Sequence, residues 1–330
     1  MTKYIIKRIL WMIPVLLCVV TIVFTITYFT PGDPVLIILG AGNYTPEAYA
    51  QKSAELGLDK SYLGQLTTYI WNLVTKLDLG RSFLTNIPVS SELMVRIPVS
   101  FRLSLMGIAV MVTVGLPLGM ISALKQYSIL DTTLTSVSLI IAAMPAFVMA
   151  ILNLLIFGVI LRVLPTTGLD SWRNYILPVV SAAGSGIGVY LRMTRTTMLE
   201  VIRQDYIRTA RAKGQIERIV IQRHALRNCL IPLVTVIGAF VATVFSGSII
   251  VETIFNITGM GTYLMGGLLG RDYPIINGTV FVICTLVCTV NLCVDIAYAF
   301  IDPRVKAQFT SPRKRAKIVK ELIEVKEGAN

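Results

Sequence analysis

Apolar residues fill the chain in long, nearly uninterrupted blocks, and six of these blocks have the length of a membrane span. A helix crosses the hydrocarbon core of a bilayer with about 20 apolar residues. The blocks cover residues 9–29, 103–124, 134–161, 176–191, 229–251 and 275–300. The fourth is the weakest, because Arg192 and Arg195 follow it closely, but a helix that carries both arginines can continue beyond the membrane. The pattern predicts an all-α integral membrane protein with six transmembrane helices.

The first block is predicted to be a retained span rather than a cleaved signal peptide. Lys3, Lys7 and Arg8 precede an apolar run that is longer than a signal-peptide core, and no small-residue cleavage site follows it. The chain therefore divides into an N-terminal transmembrane helix (1–30), an extracytoplasmic segment (31–102), a five-helix core (103–302) and a basic tail (303–330).

The segment 31–102 has the features of short helices outside the membrane. Pro31 and Pro34 break the first span as it ends, and Thr45 followed by Pro46 is typical of a helix start. Apolar residues then recur at helical spacing, at Leu63, Leu66, Ile70, Leu73, Val74 and Leu77. We expect this amphipathic helix to pack against the outer ends of the spans rather than to carry catalysis.

Composition and charge support the membrane assignment and orient it. Hydrophobic residues make up 55% of the chain and charged residues 15%, whereas soluble domains carry about 25% charged residues. The net charge of +12 suggests nucleic acid, but most of the 30 lysines and arginines flank spans on one side of the predicted topology. The positive-inside rule then places both termini in the cytoplasm. The basic cluster at Pro312, Arg313, Lys314 and Arg315 fits attraction to anionic membrane lipid, and no nucleic-acid partner is expected.

Candidate catalytic and metal sites are weak. The five cysteines form no CxxC pair, and His224 is the only histidine, so neither a metal site nor a nucleophile–base pair is predicted. His224 is expected to have a structural role or to contact a partner. The chain contains no Gly-Lys dipeptide, which excludes a Walker A loop. Gly184, Gly186 and Gly188 lie within a predicted span, where small residues favour close helix packing.

The loop 199–228 between the fourth and fifth spans contains the sequence DYIRTARAKG at residues 205–214. Asp205 is suited to cap a helix start, Arg211 and Lys213 suit its last turn, and Gly214 can end it in the left-handed conformation. These signals predict a rigid helix of about eight residues, about 12 Å long.

Tyr206, Ala210 and Lys213 fall on one face of this predicted helix. The small side chain of Ala210 would let a partner surface come close, and a rigid helix would transmit the partner's motion to the spans. The alternative is a basic, solvated loop that only satisfies topology.

DYIRTARAKG, followed by RHALRN at 223–228 and by Ile231 and Pro232, resembles the coupling loop of ABC importer permeases, in particular the peptide and nickel branch. The general family pattern is Glu-Ala-Ala, three residues and Gly. Here Arg208, Thr209 and Ala210 precede Gly214, and the departures are similar to the peptide branch.

Further segments carry the same resemblance along the chain to about residue 306. They are TPGDP at 30–34, LGLD at 56–59, DLGRS at 78–82, RIP at 96–98, MPAF at 144–147, RDYP at 271–274 and DPR at 302–304.

The resemblance implies a type I ABC importer permease in a bacterial inner membrane. Its implied partners are a second, related permease subunit, two ABC ATPase subunits and an extracytoplasmic substrate-binding protein. ATP and Mg²⁺ would be bound by the ATPase subunits, and no cofactor is expected in this chain. The implied ATPase-coupling residues are Asp205, Tyr206, Arg208, Thr209, Ala210, Arg211, Lys213 and Gly214.

Polar residues within or at the ends of the spans are candidates for a substrate path. Such residues are costly in a membrane, so they mark either a path or a helix pairing. They are Glu252, Asn153, Asn277, Asn291 and Asp295. Di- or oligopeptides are the expected cargo, with nickel or a metal chelate as the alternative. A secondary transporter would need mid-span ionisable groups, and a membrane enzyme would need a catalytic cluster, so both classes are less well supported.

Overall fold

The computed structural model describes residues 2–40 and 44–301, and within these ranges the regular structure is helical apart from a β-bridge between Arg81 and Pro88. The helices are α1 (Thr2–Phe29), α2 (Pro34–Leu39), α3 (Pro46–Glu55), α4 (Tyr62–Lys76), α5 (Val89–Leu124), α6 (Ile129–Ala143), α7 (Ala146–Asn153), α8 (Ile176–Ile202), α9 (Asp205–Ala212), α10 (Glu217–Ile219), α11 (Leu226–Ile254), α12 (Met260–Leu269) and α13 (Tyr273–Ile301). The predicted tail 303–330, with its basic cluster and the DPR segment, lies outside the described residues.

Six spans arise from four long helices and two bent pairs. Helices α1, α5, α8 and α13 are long and apolar enough to cross a membrane by themselves. Helices α6 and α7 form one bent pair, and the stretch from α10 through α11 forms the other. The six-span, all-helical architecture predicted from the sequence is therefore confirmed, with each bent pair counted as one span.

The third span differs from its prediction as one continuous helix over 134–161. It bends by 104° between α6 and α7, and a π-helical segment, Leu154–Ile160, continues α7. Met144 is extended, with ψ of 126°, because the ring of Pro145 disfavours helical geometry in the residue before it. Pro145 is the N-cap residue of α7, which begins at Ala146 without a side-chain cap.

The second span begins well before residue 103, where its apolar block begins. Helix α5 starts at Val89 and has 36 residues. At 1.5 Å per residue it is about 54 Å long, against about 30 Å for the hydrocarbon core. Part of α5 therefore extends outside the membrane. Helix α8 likewise continues to Ile202 and carries Arg192 and Arg195, as expected.

Helix α8 lies at the centre of the bundle and packs against α5, α6, α7 and α11. Glycines allow these backbones to approach closely. A Cβ atom at Gly119 of α5 would lie 2.5 Å from the Leu191 carbonyl oxygen, and one at Gly188 would lie 2.4 Å from the Ser138 carbonyl oxygen. The expected role of the α8 glycines in helix packing is confirmed.

The segment before α5 contains the short helices predicted from its sequence. Thr45 caps α3 by accepting a hydrogen bond from the Ala48 amide at 3.2 Å, and Pro46 is the first helical residue. Helix α4 buries Leu66 and Leu73 and packs against α1. Ile70 is partly buried against the cluster that contains Leu73. Leu63 and Val74 of α4, and Leu77 just after it, are exposed. Helix α12, which has only ten residues, was not predicted.

Candidate functional site

Helix α9, in the loop between α8 and α11, has the length and position predicted for the coupling helix. Its start differs in detail, because the N-cap residue is Gln204 and no side chain caps the helix. Asp205 is the first helical residue instead, where its charge still favours the positive helix end. An exposed contact of 3.7 Å joins Asp205 to Arg208, and such surface pairs contribute about 0–1 kcal/mol.

The C-terminal end of α9 follows the prediction closely. Gly214 has a φ of 75°, in the left-handed region that L-residues other than glycine rarely adopt. Its amide donates to the Arg211 carbonyl at 2.9 Å, and the next amide, of Gln215, donates to the Ala210 carbonyl at 3.4 Å. These bonds satisfy helix-end carbonyls and terminate α9 sharply.

One face of α9 is buried in the protein's own core. Ile207 is fully buried and Ala210 is 7% exposed, both in a cluster with Met198, Val220 and Cys229. The expectation that Ala210 opens the helix to a partner surface is therefore not met, since its methyl group faces the bundle. Ala210 instead lets α9 lie close to its own spans.

The opposite face of α9 is open to solvent. Exposed residues on this face and at its C-terminal cap are Asp205, Tyr206, Arg208, Thr209, Arg211 and Lys213. Tyr206 keeps 44% of its surface exposed, and partial burial raises the pKa of its hydroxyl above the usual value. The structure thus brings these predicted coupling residues onto one short, polar helix.

A side-chain pair holds α9 against the segment that follows it. The Arg211 guanidinium donates to both carboxylate oxygens of Glu217, at 3.1 and 2.7 Å. This contact raises the pKa of Arg211. His224 makes a 2.8 Å hydrogen bond with Gln215 in the same loop, which fits the structural role expected for it.

Both ends of α9 are joined to spans by short connectors. Only Arg203 and Gln204 separate it from α8. On the other side, α10 and the π-helical segment Val220–Ala225 lead directly into α11, which bends by 49° near Pro232. Helix α9 therefore lies between two spans along the chain, with two residues between it and α8.

Glu252 is buried at the junction of α11 and α12. It has no exposed surface, and its Oε2 atom accepts a hydrogen bond from the Gly261 amide at 2.6 Å. Ser100 of α5 accepts from the neighbouring Met260 amide at 2.8 Å. A Cβ atom at Gly259 would lie 2.3 Å from Glu252 Oε2, so α12 begins directly on this carboxylate. Glu252 therefore anchors the start of α12.

Three of the other predicted path residues join pairs of helices. Asn153 donates to Ser181 of α8 at 3.0 Å, and Asn277 accepts from Thr27 of α1 at 3.4 Å. Asp295 forms a 3.0 Å ion pair with Arg8 of α1. Asn291 is exposed. Asn153, Asn277 and Asp295 thus lie at separate contacts between helices.

Three motifs that are distant in sequence meet at one place. Arg271 donates to the Pro31 carbonyl, and the Tyr273 hydroxyl donates to the Gly32 carbonyl at 3.2 Å. Ser82 donates to the buried carboxylate of Asp272 at 2.6 Å. The sequence of each segment resembles a family motif, but it does not predict that the three segments form one cluster.

A cavity of about 430 Å³ opens beside this cluster. It lies between the end of α1, helix α4, the 78–86 segment and the start of α13, and Asn277 contributes to its wall. This places Asn277 at the cavity wall as well as at the α1–α13 contact.

Comparison with known proteins finds relatives that match nearly the whole chain. The chain is 41% identical over 314 residues to a putative peptide transport system permease protein of Brucella abortus (strain 2308), covering 93% of this chain and 99% of that protein. It is 35% identical over 337 residues to the dipeptide transport system permease protein DppB of Escherichia coli (strain K12), with the same coverage. The DppB protein of Alkalihalophilus pseudofirmus is also 35% identical, covering 93% of this chain and 100% of that protein.

Among solved structures, an inward-facing MetNI methionine ABC transporter chain matches with a TM-score of 0.55 at 18% identity, covering 64% of this chain and 96% of that chain. This match shows the fold. Residues 1–104 match the N-terminal family model of binding-protein-dependent transport system membrane components. Residues 115–307 match the model for the binding-protein-dependent transport system inner membrane component. The chain is therefore a multi-pass membrane permease of the binding-protein-dependent transport system inner membrane component family.

Proposed function

We propose that this permease imports short peptides, from dipeptides to longer oligopeptides, as one subunit of an ATP-driven transporter. The assignment of peptides as the cargo is supported by sequence identity. Over nearly the whole chain, the protein is 41% and 35% identical to permeases named for peptides and dipeptides. These names favour peptides over the nickel alternative.

The proposed assembly contains a second, related permease subunit, two ATPase subunits that bind ATP and Mg²⁺, and an extracytoplasmic binding protein. The family description names dependence on a binding protein, which supports the last of these. The absence of a Gly-Lys dipeptide from the sequence supports the assignment of ATP hydrolysis to other chains.

In the proposed mechanism, one ATPase subunit binds the exposed face of α9. ATP-driven closure of the ATPases moves α9, and Ile207 and Ala210 pass that motion to the core beneath. Helices α8 and α11 then tilt the bundle between inward-open and outward-open states. Two sites, one for nucleotide and one for substrate, bias the same two-state bundle.

A photo-crosslinking amino acid at Tyr206 tests the contact with the ATPase. In the full transporter we expect it to capture an ATPase subunit, because Tyr206 is exposed on the free face of α9. The same amino acid at Leu63, exposed on α4, serves as the control and should not capture the ATPase. Capture from Leu63 alone would overturn the proposed docking.

Uptake by cells that lack the chain tests the cargo. We expect loss of radiolabelled dipeptide uptake with unchanged nickel uptake, and recovery when the gene is returned. Loss of nickel uptake with normal peptide uptake would contradict the peptide proposal.

A further inference from the structure

A partly buried ion pair joins the start of α6 to the C-terminal third of α8. Asp131 is 3% exposed and lies in the first turn of α6. Arg195 of α8 donates to it twice, from Nε to Oδ1 at 2.7 Å and from Nη2 to Oδ2 at 2.8 Å. A two-pronged contact of this kind fixes the orientation of both groups as well as their distance.

The same carboxylate also binds α5 and the turn that follows it. The Ser122 hydroxyl, near the end of α5, donates to Oδ1, and the Tyr127 amide donates to Oδ2 at 2.9 Å. Asp131 therefore receives hydrogen bonds from α5, from the α5–α6 turn and from α8. One carboxylate connects the ends of three spans.

The pair lies close to the coupling helix. Arg195 precedes the end of α8 at Ile202, and α9 begins at Asp205. Arg195 lies seven positions before Ile202, which corresponds to about 10 Å along α8, and two residues then lead to α9. The close α5–α8 approach at Gly119 adjoins the pair, since a Cβ atom there would be 2.6 Å from Thr194 Cβ.

The Asp131 carboxylate is buried while the Arg195 side chain stays 22% exposed, and an ion pair of this kind suits positioning rather than stability. Desolvation of two charges offsets most of their attraction, so such pairs contribute little net stability but penalise any arrangement that separates them. Sliding of α6 or α5 along α8 would leave the buried Asp131 carboxylate without its partner. The three helix ends are thereby held in a fixed register.

We propose that Asp131 and Arg195 are a positioning pair for energy coupling. They hold the ends of α5, α6 and α8 as one body, so that a displacement of α9 moves three spans together rather than α8 alone. This inference rests on the proposed function of α9 as the ATPase contact.

The test uses the complete transporter in liposomes, with peptide uptake and ATP hydrolysis measured in the same vesicles. The main variant is Asp131→Asn with Arg195→Gln, which removes both charges and leaves neither one buried alone. We expect the ATP hydrolysed per peptide imported to rise about fivefold or more, within the range of ordinary coupling energies. An unchanged ratio in an assembled complex would overturn the proposal.

A matched control is the ion pair between Glu92 and Arg96, which is 2.6 Å long and lies within α5. The pair lies within one helix, and Arg96 separately contacts the Tyr263 ring of α12 at 4.7 Å. Glu92→Gln, which breaks the pair and keeps that contact, should therefore leave the ratio unchanged. Arg195→Lys, which keeps the charge but not the two-pronged contact, should give an intermediate ratio. An equal rise in the control pair would show that the effect is not specific to the Asp131–Arg195 contact.

Spin labels supply a readout that a purely structural role would not change. Ile129→Cys at the start of α6 and Ile216→Cys just after α9 both replace exposed residues. In a background with the five native cysteines replaced, their separation should be the same with and without ATP when Asp131 and Arg195 are intact, and should change with ATP in the double variant. An ATP-independent separation in both backgrounds would contradict the inference.

Failure of the proposed ATPase contact at α9 and failure of the proposed positioning pair give different results. If α9 does not receive the ATPase, crosslinks from Tyr206 fail in the native protein. If only the positioning pair is wrong, those crosslinks form and the double variant couples normally.

Discussion

Gly214 ends α9 with a φ of 75°, and no heavy atom lies within 4 Å of the position its Cβ would take. A larger residue there is therefore opposed by the backbone conformation and not by neighbouring atoms. For an L-residue the left-handed conformation costs about 1–2 kcal/mol, while asparagine tolerates it better.

Gly214→Val is expected to displace the end of α9 and to uncouple ATP hydrolysis from peptide uptake, while the complex still assembles. Gly214→Asn should retain most of the coupling. The measurement is ATP hydrolysed per peptide imported in proteoliposomes. Normal peptide uptake in the valine variant would contradict this account of the helix end.

Two glycines of α12 provide a second comparison at single residues. A Cβ atom at Gly261 would lie 2.3 Å from Ile249 Cα, a backbone atom that cannot rotate away, whereas one at Gly266 would meet no heavy atom within 4 Å. Gly261→Ala is expected to lose about 1–3 kcal/mol and to lower the Tm in detergent. Gly266→Ala should keep or raise the Tm, because alanine favours a helix. Equal Tm values would argue against the close contact of α11 and α12.

At the scale of elements, α9 depends on its buried face for a fixed position. Ile207 is fully buried in the core cluster beneath the helix, while Ile216, four residues beyond the end of α9, is 70% exposed. A helix of eight residues is too short to be stable alone in water, so this packing holds it in place.

Ile207→Ala is expected to cost about 2–5 kcal/mol locally, through the lost contacts and the cavity left behind. Amide hydrogen exchange within α9 should become faster, and ATP hydrolysis should become less dependent on peptide. Ile216→Ala should change neither quantity. Unchanged exchange in the Ile207 variant would mean that α9 is held by other contacts.

Sequence patterns predicted the helices better than the bends and contacts between them. Span positions, the Thr45 cap and the Gly214 terminator follow from local residue chemistry, and all are present. The 104° bend at Pro145 was missed because apolar residues continue on both sides of it. The burial of Ala210 could not be derived, since the face of a short helix that meets the core depends on the spans beneath.

In the candidate site, too, the local segment was predicted and the contacts between distant segments were not. The coupling residues were predicted from one contiguous segment, and the structure gathers them on α9. Asp131 and Arg195 are 64 positions apart, and neither stands in a recognisable motif, so only the folded chain reveals their contact. The only signal for them in the sequence was the arginine that interrupts the fourth apolar block.

At the scale of the whole molecule, the direction of the spans decides which surface meets the ATPases. The distribution of lysine and arginine predicts that the α9 loop is cytoplasmic and that α4 is outside.

Single cysteines in a background with the five native cysteines replaced test this topology. Leu63→Cys in intact cells should react with a membrane-impermeant maleimide, because Leu63 is exposed on α4. Ile216→Cys should react only after permeabilisation. The opposite labelling pattern would reverse the orientation and place α9 out of reach of ATPases in the cytoplasm.

The contact of α1 with α13 has a consequence for how the protein is made. Helix α1 packs along α13, and the chain that leaves α1 is bonded to residues just before and at the start of α13, through Arg271 and Tyr273. Since the ribosome delivers α1 well before α13, the first span enters the bilayer before the helix that it packs along is available. A nascent chain interrupted before residue 271 would therefore lack α13 and the bonds from Arg271 and Tyr273, and would leave α1 with its contact to α4.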